Sequence, residues 1–400
     1  MVVERSRRSN WLTLVGRVPL AAVLALAACA PEGPREPPAD AESAEVLWAP
    51  GDTLTDAELE AGRLDDSWRA AVRLGRPPAA REFPLDTIVI PQEWRQAVGP
   101  ADPAGDRGEV LRVQILLDRA RFYPGVIDGE WGKNTEKAVW WFQSSQGLEP
   151  TGAVDSVTFE RLQLAAGDPS EAVILHALGE EDVAGPFVAI PADVYRQARL
   201  PCLCYESLVE KLAERFHASA EVLEVLNPGV DLSALVAGDT IRAPAVDDAA
   251  PGPAPVARLI VSGVGSYVHA VDADGGIVYH FPTTLGSQYD PSPLGVLSVV
   301  GVFLDPWFHY QPRLLAGVDK SKPNAHLPPG PNNLVGSVWI KLSQPHYGIH
   351  GTRDPAAIGY ASSSGCVRLT NWNARLLAGR VSEGTEIEFQ DTRPAPEAGG

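Results

Sequence analysis

Two stretches decide how the chain reads: residues 346–352, His346-Tyr347-Gly348-Ile349-His350-Gly351-Thr352, and residues 363–369, Ser363-Ser364-Gly365-Cys366-Val367-Arg368-Leu369. Both set apolar residues between glycines and polar groups, a pattern of short strands ending in tight turns rather than of helix. The same period recurs at 258–261, 267–271, 277–281, 296–303, 337–342 and 386–389, with Gly or Pro in nearly every gap. A β-rich domain over residues 258–390 is therefore expected. Reactive side chains concentrate in the two opening stretches. Cys366 stands between Gly365 and Arg368: a guanidinium favours thiolate, and a glycine lets a substrate carbonyl approach the backbone. His350 lies far enough upstream to loop back as the base a thiol needs, and the N–H groups of residues 364–366 can hold a developing oxyanion. A metal site of His346, His350 and Cys366 is not expected. Gly348 and Gly351 argue against the helix that would align the two imidazoles, and in a strand they stand roughly 13 Å apart.

Upstream the period changes. Val110, Val113, Leu117 and Ala120 recur at three- and four-residue steps until Tyr123-Pro124-Gly125; a second helix follows with Asn134 as its cap, and a third lies near 157–164. Within residues 108–166 stand Leu-Arg-Val-Gln-Ile-Leu-Leu at 111–117, Tyr-Pro-Gly-Val-Ile-Asp-Gly-Glu-Trp-Gly at 123–132, Phe-Gln at 142–143 and Gly-Leu-Glu-Pro-Thr-Gly at 147–152. This order closely resembles the peptidoglycan-binding domain type 1, a three-helix bundle that binds cell-wall glycopeptide without chemistry. One helix cannot aim every ring at a ligand, so two of Trp131, Trp140 and Trp141 are expected to pack.

Residues 170–246 resemble, more distantly, a LysM wall-binding module of βααβ order. Helices read at 208–216 and 220–226, then Asn227-Pro228-Gly229, then a closing strand after Gly238-Asp239-Thr240-Ile241. Cys202 and Cys204 fall where the first strand would begin. Residues i and i+2 of a strand lie about 6.6 Å apart, at the edge of disulfide reach, so two apolar-packing thiols are expected. Residues 247–257 read as a Pro-rich linker.

The first residues read as an export signal over 1–28: Arg5, Arg7, Arg8 and Arg17 precede an apolar run, Val18 to Ala28, too short for the roughly 20 residues that span a bilayer. Its end, Leu26-Ala27-Ala28-Cys29, resembles a bacterial lipoprotein signal, which implies a lipid on Cys29 and anchoring to membrane. Ala30, by the same resemblance, points to the periplasmic face of the outer membrane. Residues 29–107 read as a tether and a segment whose chemistry is not legible, and 391–400 as a disordered tail. With 33 Lys and Arg against 51 Asp and Glu, the formal charge of −18 excludes nucleic acid as a natural partner.

The two opening motifs, with Ser292-Pro293-Leu294-Gly295-Val296, Leu327-Pro328-Pro329-Gly330-Pro331-Asn332-Asn333 and Asn371-Trp372-Asn373, closely resemble the YkuD-type L,D-transpeptidase catalytic domain over 258–390. The resemblance implies Cys366 as nucleophile, His350 as proton donor and acceptor, and the Gly351 carbonyl as the group orienting His350. It implies oxyanion and substrate contacts from Ser363, Ser364, Gly365, Arg368, Tyr347 and Thr352, and no cofactor. Many members have His where Ser364 stands and Asp where Asn373 stands, so here proton transfer falls on His350 alone. The expected architecture is a multidomain α+β chain. The implied reaction is acyl transfer from a tetrapeptide stem of peptidoglycan to an amine, giving 3→3 cross-links or attaching an envelope protein. With water as acceptor the chain would be an L,D-carboxypeptidase, and with a degenerate catalytic domain it would be a membrane-to-wall tether.

Overall fold

A computed structural model describes residues 107–167, 172–246 and 255–390, apart from 264, 288–290 and 315–317. The leader at 1–28, Cys29, the remaining stretch to residue 106, most of the linker and the tail lie outside the described residues.

Helices α1 (Arg107–Arg119), α2 (Lys133–Ser145) and α3 (Ser156–Ala166) form the expected bundle. Leu111, Ile115, Ala138, Phe142, Phe159 and Leu162 meet in its core because they recur on one face of each helix. The Asp155 side chain starts α3 by accepting from the Thr158 N–H. Asn134 is not the cap of α2. The helix begins before it, with Gly132 at the cap position, and its amide points out of the bundle to donate to the Ile358 carbonyl at 2.8 Å. Trp140 is buried and Trp141 packs on Tyr267 and His269, while Trp131 is 39% exposed.

The middle segment holds β1 (Val173–Ala177), α4 (Glu180–Val183), α5 (Val194–Gln197), α6 (Leu208–Arg215), α7 (Ala220–Leu226) and β2 (Thr240–Pro244). Ser207 and Ser219 cap α6 and α7, and β1 pairs antiparallel with β2. The first strand therefore lies well before the cysteines, not at them. Cys202 and Cys204 are disulfide-bonded, which corrects the expectation of two thiols: the chain is bent here rather than extended, bringing their Cα atoms to 5.2 Å. Residue 166 is no packing boundary either. Ala218, Val222 and Leu226 complete the core of the bundle, and His217 Nδ1 meets Asp118 Oδ2 at 3.0 Å in a buried pair.

Strands β3 (Arg258–Ser262), β4 (Tyr267–Val271), β5 (Ile277–Pro282), β6 (Gly295–Leu304), β9 (Val338–Leu342), β10 (Gly348–His350), β11 (Val367–Arg368) and β12 (Glu386–Gln390) form one sheet, in the order β11-β10-β9-β6-β12-β3-β4-β5. Two short strands, β7 (Phe308–Tyr310) and β8 (Ala325–Leu327), form a separate hairpin, and α8 (Asn371–Ala378) packs on the sheet. Only β10/β11 and β12/β3 pair in parallel. The sheet curls until its ends meet. Just beyond β5, the Thr284 N–H donates to the Arg368 carbonyl at 3.2 Å and the Arg368 N–H to the Thr284 carbonyl at 2.9 Å, so β11 offers no open edge there. The bundle takes the outer side of β5: the Tyr123 N–H donates to the His280 carbonyl and the His280 N–H to the Arg121 carbonyl, both at 3.0 Å, while Tyr123 stacks on Phe281. One strand thus serves the bundle with its middle and the Cys366 turn with its continuation.

Candidate active site

The parallel pair β10/β11 brings the two motifs side by side, with Ile349 opposite Val367 and His350 opposite Arg368. His350 ends β10, wholly buried, its ring stacked on Trp339 with centroids 5.5 Å apart. Its Nδ1 lies 2.6 Å from the Gly351 carbonyl. A carbonyl only accepts, so Nδ1 carries the proton and Nε2 holds the basic lone pair. Burial, helped by the Arg368 charge and opposed by the Gly351 bond, pulls the imidazole down to about 3. The resting ring is neutral.

Cys366 is buried as well, 2% exposed, among Leu203, Phe308, Tyr310, Leu327, Val335 and Trp339. Its thiol donates to the His346 carbonyl at 3.6 Å. Burial pushes the thiol up to about 11, and the Gly348 backbone hydrogen bond and the Arg368 charge only partly pull it back. Arg368 acts in the foreseen direction, but removal from water outweighs it. Because Arg368 shifts both groups downward, one guanidinium lies within electrostatic reach of thiol and imidazole alike.

The turn before Cys366 is pinned. Ser292 Oγ donates to the Gly365 carbonyl at 2.8 Å, and the planar trans peptide then points the Cys366 N–H the opposite way. Ser364 and Gly365 have N–H groups with no acceptor among the described residues. Two of the residues expected to meet substrate carry internal hydrogen bonds here. The Ser363 hydroxyl donates to the Cys366 carbonyl at 2.6 Å and its N–H to Leu285, and both bonds close the turn from inside. Thr352 is buried, its hydroxyl accepting from the Asp354 N–H. Tyr347 is half-buried and donates to the Pro291 carbonyl at 3.4 Å.

Among the described residues no group of three His, Cys, Asp or Glu is placed to hold a metal ion, and no helix is long and apolar enough to cross a membrane.

The sequence model of the L,D-transpeptidase catalytic domain, YkuD, matches residues 257–389, and that of the "Putative peptidoglycan binding domain" matches 106–162. Two curated Bacillus proteins, both named "Putative L,D-transpeptidase YkuD", are similar over nearly their whole length. The Bacillus licheniformis protein is 30% identical over 181 residues, which span 45% of this chain and 92% of that one. The chain belongs to the YkuD family of L,D-transpeptidases. The Bacillus subtilis protein is 27% identical, covering 45% of this chain and 91% of its own. A solved L,D-transpeptidase fragment from Xylanimonas cellulosilytica covers 78% of this chain and 100% of its own at 16% identity, with a TM-score of 0.32.

In this YkuD-family chain the residues that hold the site together were the ones least visible in sequence. Asn371, quoted above only within a motif, accepts through Oδ1 from the Ser337 and Thr352 N–H groups at 3.1 Å, and a side chain at Gly351 would collide with that oxygen. Its Nδ2 donates to Glu214 Oε2 at 2.8 Å and to the Pro331 carbonyl at 3.1 Å. Glu214 belongs to α6, so the middle segment braces the turn whose carbonyl orients His350. The disulfide-bearing strap does likewise. The Leu203 N–H donates to Pro329 and its carbonyl accepts from the Asn332 N–H, both at 2.9 Å, over Gly330, where no side chain would fit. The glycines at 330 and 351 were the available signals; nothing in the sequence pointed to Glu214 or Leu203.

Proposed function

We propose that the chain is an L,D-transpeptidase acting on peptidoglycan stem peptides through an acyl-enzyme on Cys366. The observation that carries the reading is the β10/β11 pair, which sets a neutral imidazole of fixed tautomer at the end of one strand and a thiol just before its neighbour, with one guanidinium in electrostatic reach of both. Cys366 Sγ attacks the carbonyl of the L-centre of the third residue of a tetrapeptide stem. Its proton passes to His350 Nε2 as the sulfur–carbon bond forms, because burial keeps the resting thiol largely protonated. The N–H groups of Ser364, Gly365 and Cys366 receive the oxyanion. His350 then protonates the departing D-Ala amine as the carbon–nitrogen bond breaks, leaving a thioester. An incoming amine reverses the sequence: it attacks the thioester, gives its proton through His350 to the leaving sulfur, and restores both groups. With a stem amine the product is a 3→3 cross-link, and with a Lys of an envelope protein it is an attachment. No cofactor enters, since one acyl bond is exchanged for another.

The helical bundle supports peptidoglycan as the partner. Export, a lipid on Cys29 and residence on the periplasmic face of the outer membrane belong to the same reading and rest on residues 1–30. The LysM-like assignment of the middle segment rests on the helices α6 and α7 lying between the antiparallel strands β1 and β2, with α4 and α5 as departures from the simple βααβ order.

The deciding experiment is incubation of the protein with disaccharide-tetrapeptide, products resolved by mass. Loss of D-Ala with dimer formation is expected. Loss of D-Ala alone would make it an L,D-carboxypeptidase, and an untouched substrate beside a carbapenem-resistant, unmodified Cys366 would leave the tether.

A further inference from the structure

His350 and Cys366 stand at the two ends of one connection, residues 351–365, which leaves β10, makes a 3-10 turn at Pro355–Ala357 and returns as the turn before β11. Its middle is held from outside the sheet. Asn134, buried at the start of α2, donates through Nδ2 to the Ile358 carbonyl at 2.8 Å, and that buried carbonyl has no other donor among the described residues. A carbonyl only accepts, so its partner fixes which way the amide is turned. The fit around the bond is close. A side chain at Gly359, whose φ is +83°, would collide with Asn134 Oδ1, and one at Gly132 would collide with the Tyr360 hydroxyl. Lys133 Nζ lies 5.0 Å from the centre of the Tyr360 ring. Residues 132–134 of the bundle thus grip residues 358–360 of the connection.

Thr284 passes this grip to the side of the nucleophile. Its hydroxyl donates to the Ala357 carbonyl at 3.2 Å and accepts from the Gly359 N–H at 3.0 Å, on either side of the residue that Asn134 holds. Its backbone makes the two hydrogen bonds to Arg368, and the carbonyl of the next residue, Leu285, accepts from the Ser363 N–H at 2.7 Å. Asn134 therefore reaches the Cys366 turn through Ile358 and Thr284. Without the amide donor the Ile358 carbonyl is left buried and unpaired, which favours a shift of the connection. Displacing reacting groups by about 1 Å lowers rates by up to about a hundredfold. We infer that Asn134 is a positioning residue for acyl transfer: through this one amide the bundle sets how the Cys366 turn is presented to His350. The inference rests on the chain being a cysteine transpeptidase, and it gives the bundle a part in the chemistry besides contact with the wall.

The test is turnover of disaccharide-tetrapeptide by the full chain, with kcat and KM resolved, for the wild type, Asn134→Asp and Asn134→Leu. Asn134→Asp keeps the shape of the side chain and sets an acceptor against the Ile358 carbonyl. Both variants are expected to lose roughly tenfold or more in kcat with KM changed by less than about twofold. Sedimentation with sacculi is expected to stay unchanged, because the Asn134 amide points away from the bundle. Each variant is assayed well below its own melting temperature, and Asn134→Asp carries the test if Asn134→Leu misfolds. Wild-type kcat in Asn134→Asp, or a loss confined to KM or to melting, overturns the assignment and leaves Asn134 a packing contact between bundle and sheet. The two readings fail separately. A wild type that leaves the stem untouched refutes the transpeptidase and this role with it, whereas an active wild type beside unimpaired variants refutes the role of Asn134 alone.

Discussion

The curled sheet and the middle segment were built by different rules. In the sheet each strand pairs with neighbours of matching period, so Leu259, Val268, Phe281, Ile340, Ile349 and Ile387 reach one core by simple alternation. Between β1 and β2 the middle segment is organised by contacts to other parts of the chain: Glu214 to Asn371, Leu203 to Pro329 and Asn332, His217 to Asp118. The sheet supplies His350 and the turn that carries Cys366, and the middle segment braces the one through Asn371 and covers the other through Leu203. A catalytic strand pair can therefore be intact in sequence while its working geometry is owed to an insertion elsewhere.

The largest effect that would sharpen this division is at the sulfur. Cys366→Ala is expected to lower stem-peptide turnover by about a thousandfold or more, while sacculus binding measured by sedimentation stays unchanged; residual turnover near wild type would return the chemistry to another group. Next comes reactivity. A thiol held near 11 instead of 9.0 carries about a hundredfold less thiolate at neutral pH, so iodoacetamide should label Cys366 about that much more slowly than the denatured chain. Equal rates in both states would mean that the apolar cover is not closed in solution.

Asn371→Ala tests whether the middle segment matters to the chemistry. It removes the shared acceptor of Ser337 and Thr352 and strands Glu214, whose carboxyl burial already pushes up. We expect kcat to fall roughly 10- to 100-fold with KM little changed, because the Gly351 carbonyl loses its bracing; a loss confined to stability would make Asn371 purely structural.

Acid reads the buried imidazoles. His350 and His269 are held down to about 3 and His280 well below its ordinary value, all chiefly by burial. In the unfolded chain each takes up a proton as pH falls through about 6.5. The unfolded state then binds more protons, so stability declines as pH drops from there toward 3, with uptake on the order of three protons per molecule from these groups. Flat denaturant midpoints between pH 7 and 4 would contradict that burial. The smallest effect is at the strap. Replacing Cys202 and Cys204 by Ser is expected to cost about 1–2 kcal/mol and to speed Cys366 labelling severalfold, and an unchanged labelling rate would separate the strap from the cover.

Much of the sheet was legible because a period of two with Gly and Pro punctuation survives in local sequence; β3, β4, β5, β6, β9 and β12 lie where alternation put them, and β10 where its flanking glycines put it. The hairpin β7/β8 and the two-residue β11 were not, since three residues or fewer carry no period. At the site, Cys366 and His350 were visible as reactive types among glycines, and Arg368 as a nearby charge. The ionisation state was not, because the groups that dry the thiol, Leu203, Phe308 and Leu327, come from distant parts of the chain. Cys202 and Cys204 were misread for a related reason: extended geometry was assumed where the chain bends.

The mutual hydrogen bonds of Thr284 and Arg368 have a mechanical consequence. With β10 on the other side, they fasten the segment that follows Cys366 along both flanks, so it behaves as a doorframe rather than a door. On the proposed reading a stem peptide would reach the sulfur past the parts that cover it, the β7/β8 hairpin and the Leu203 strap, and not by parting of this strand pair.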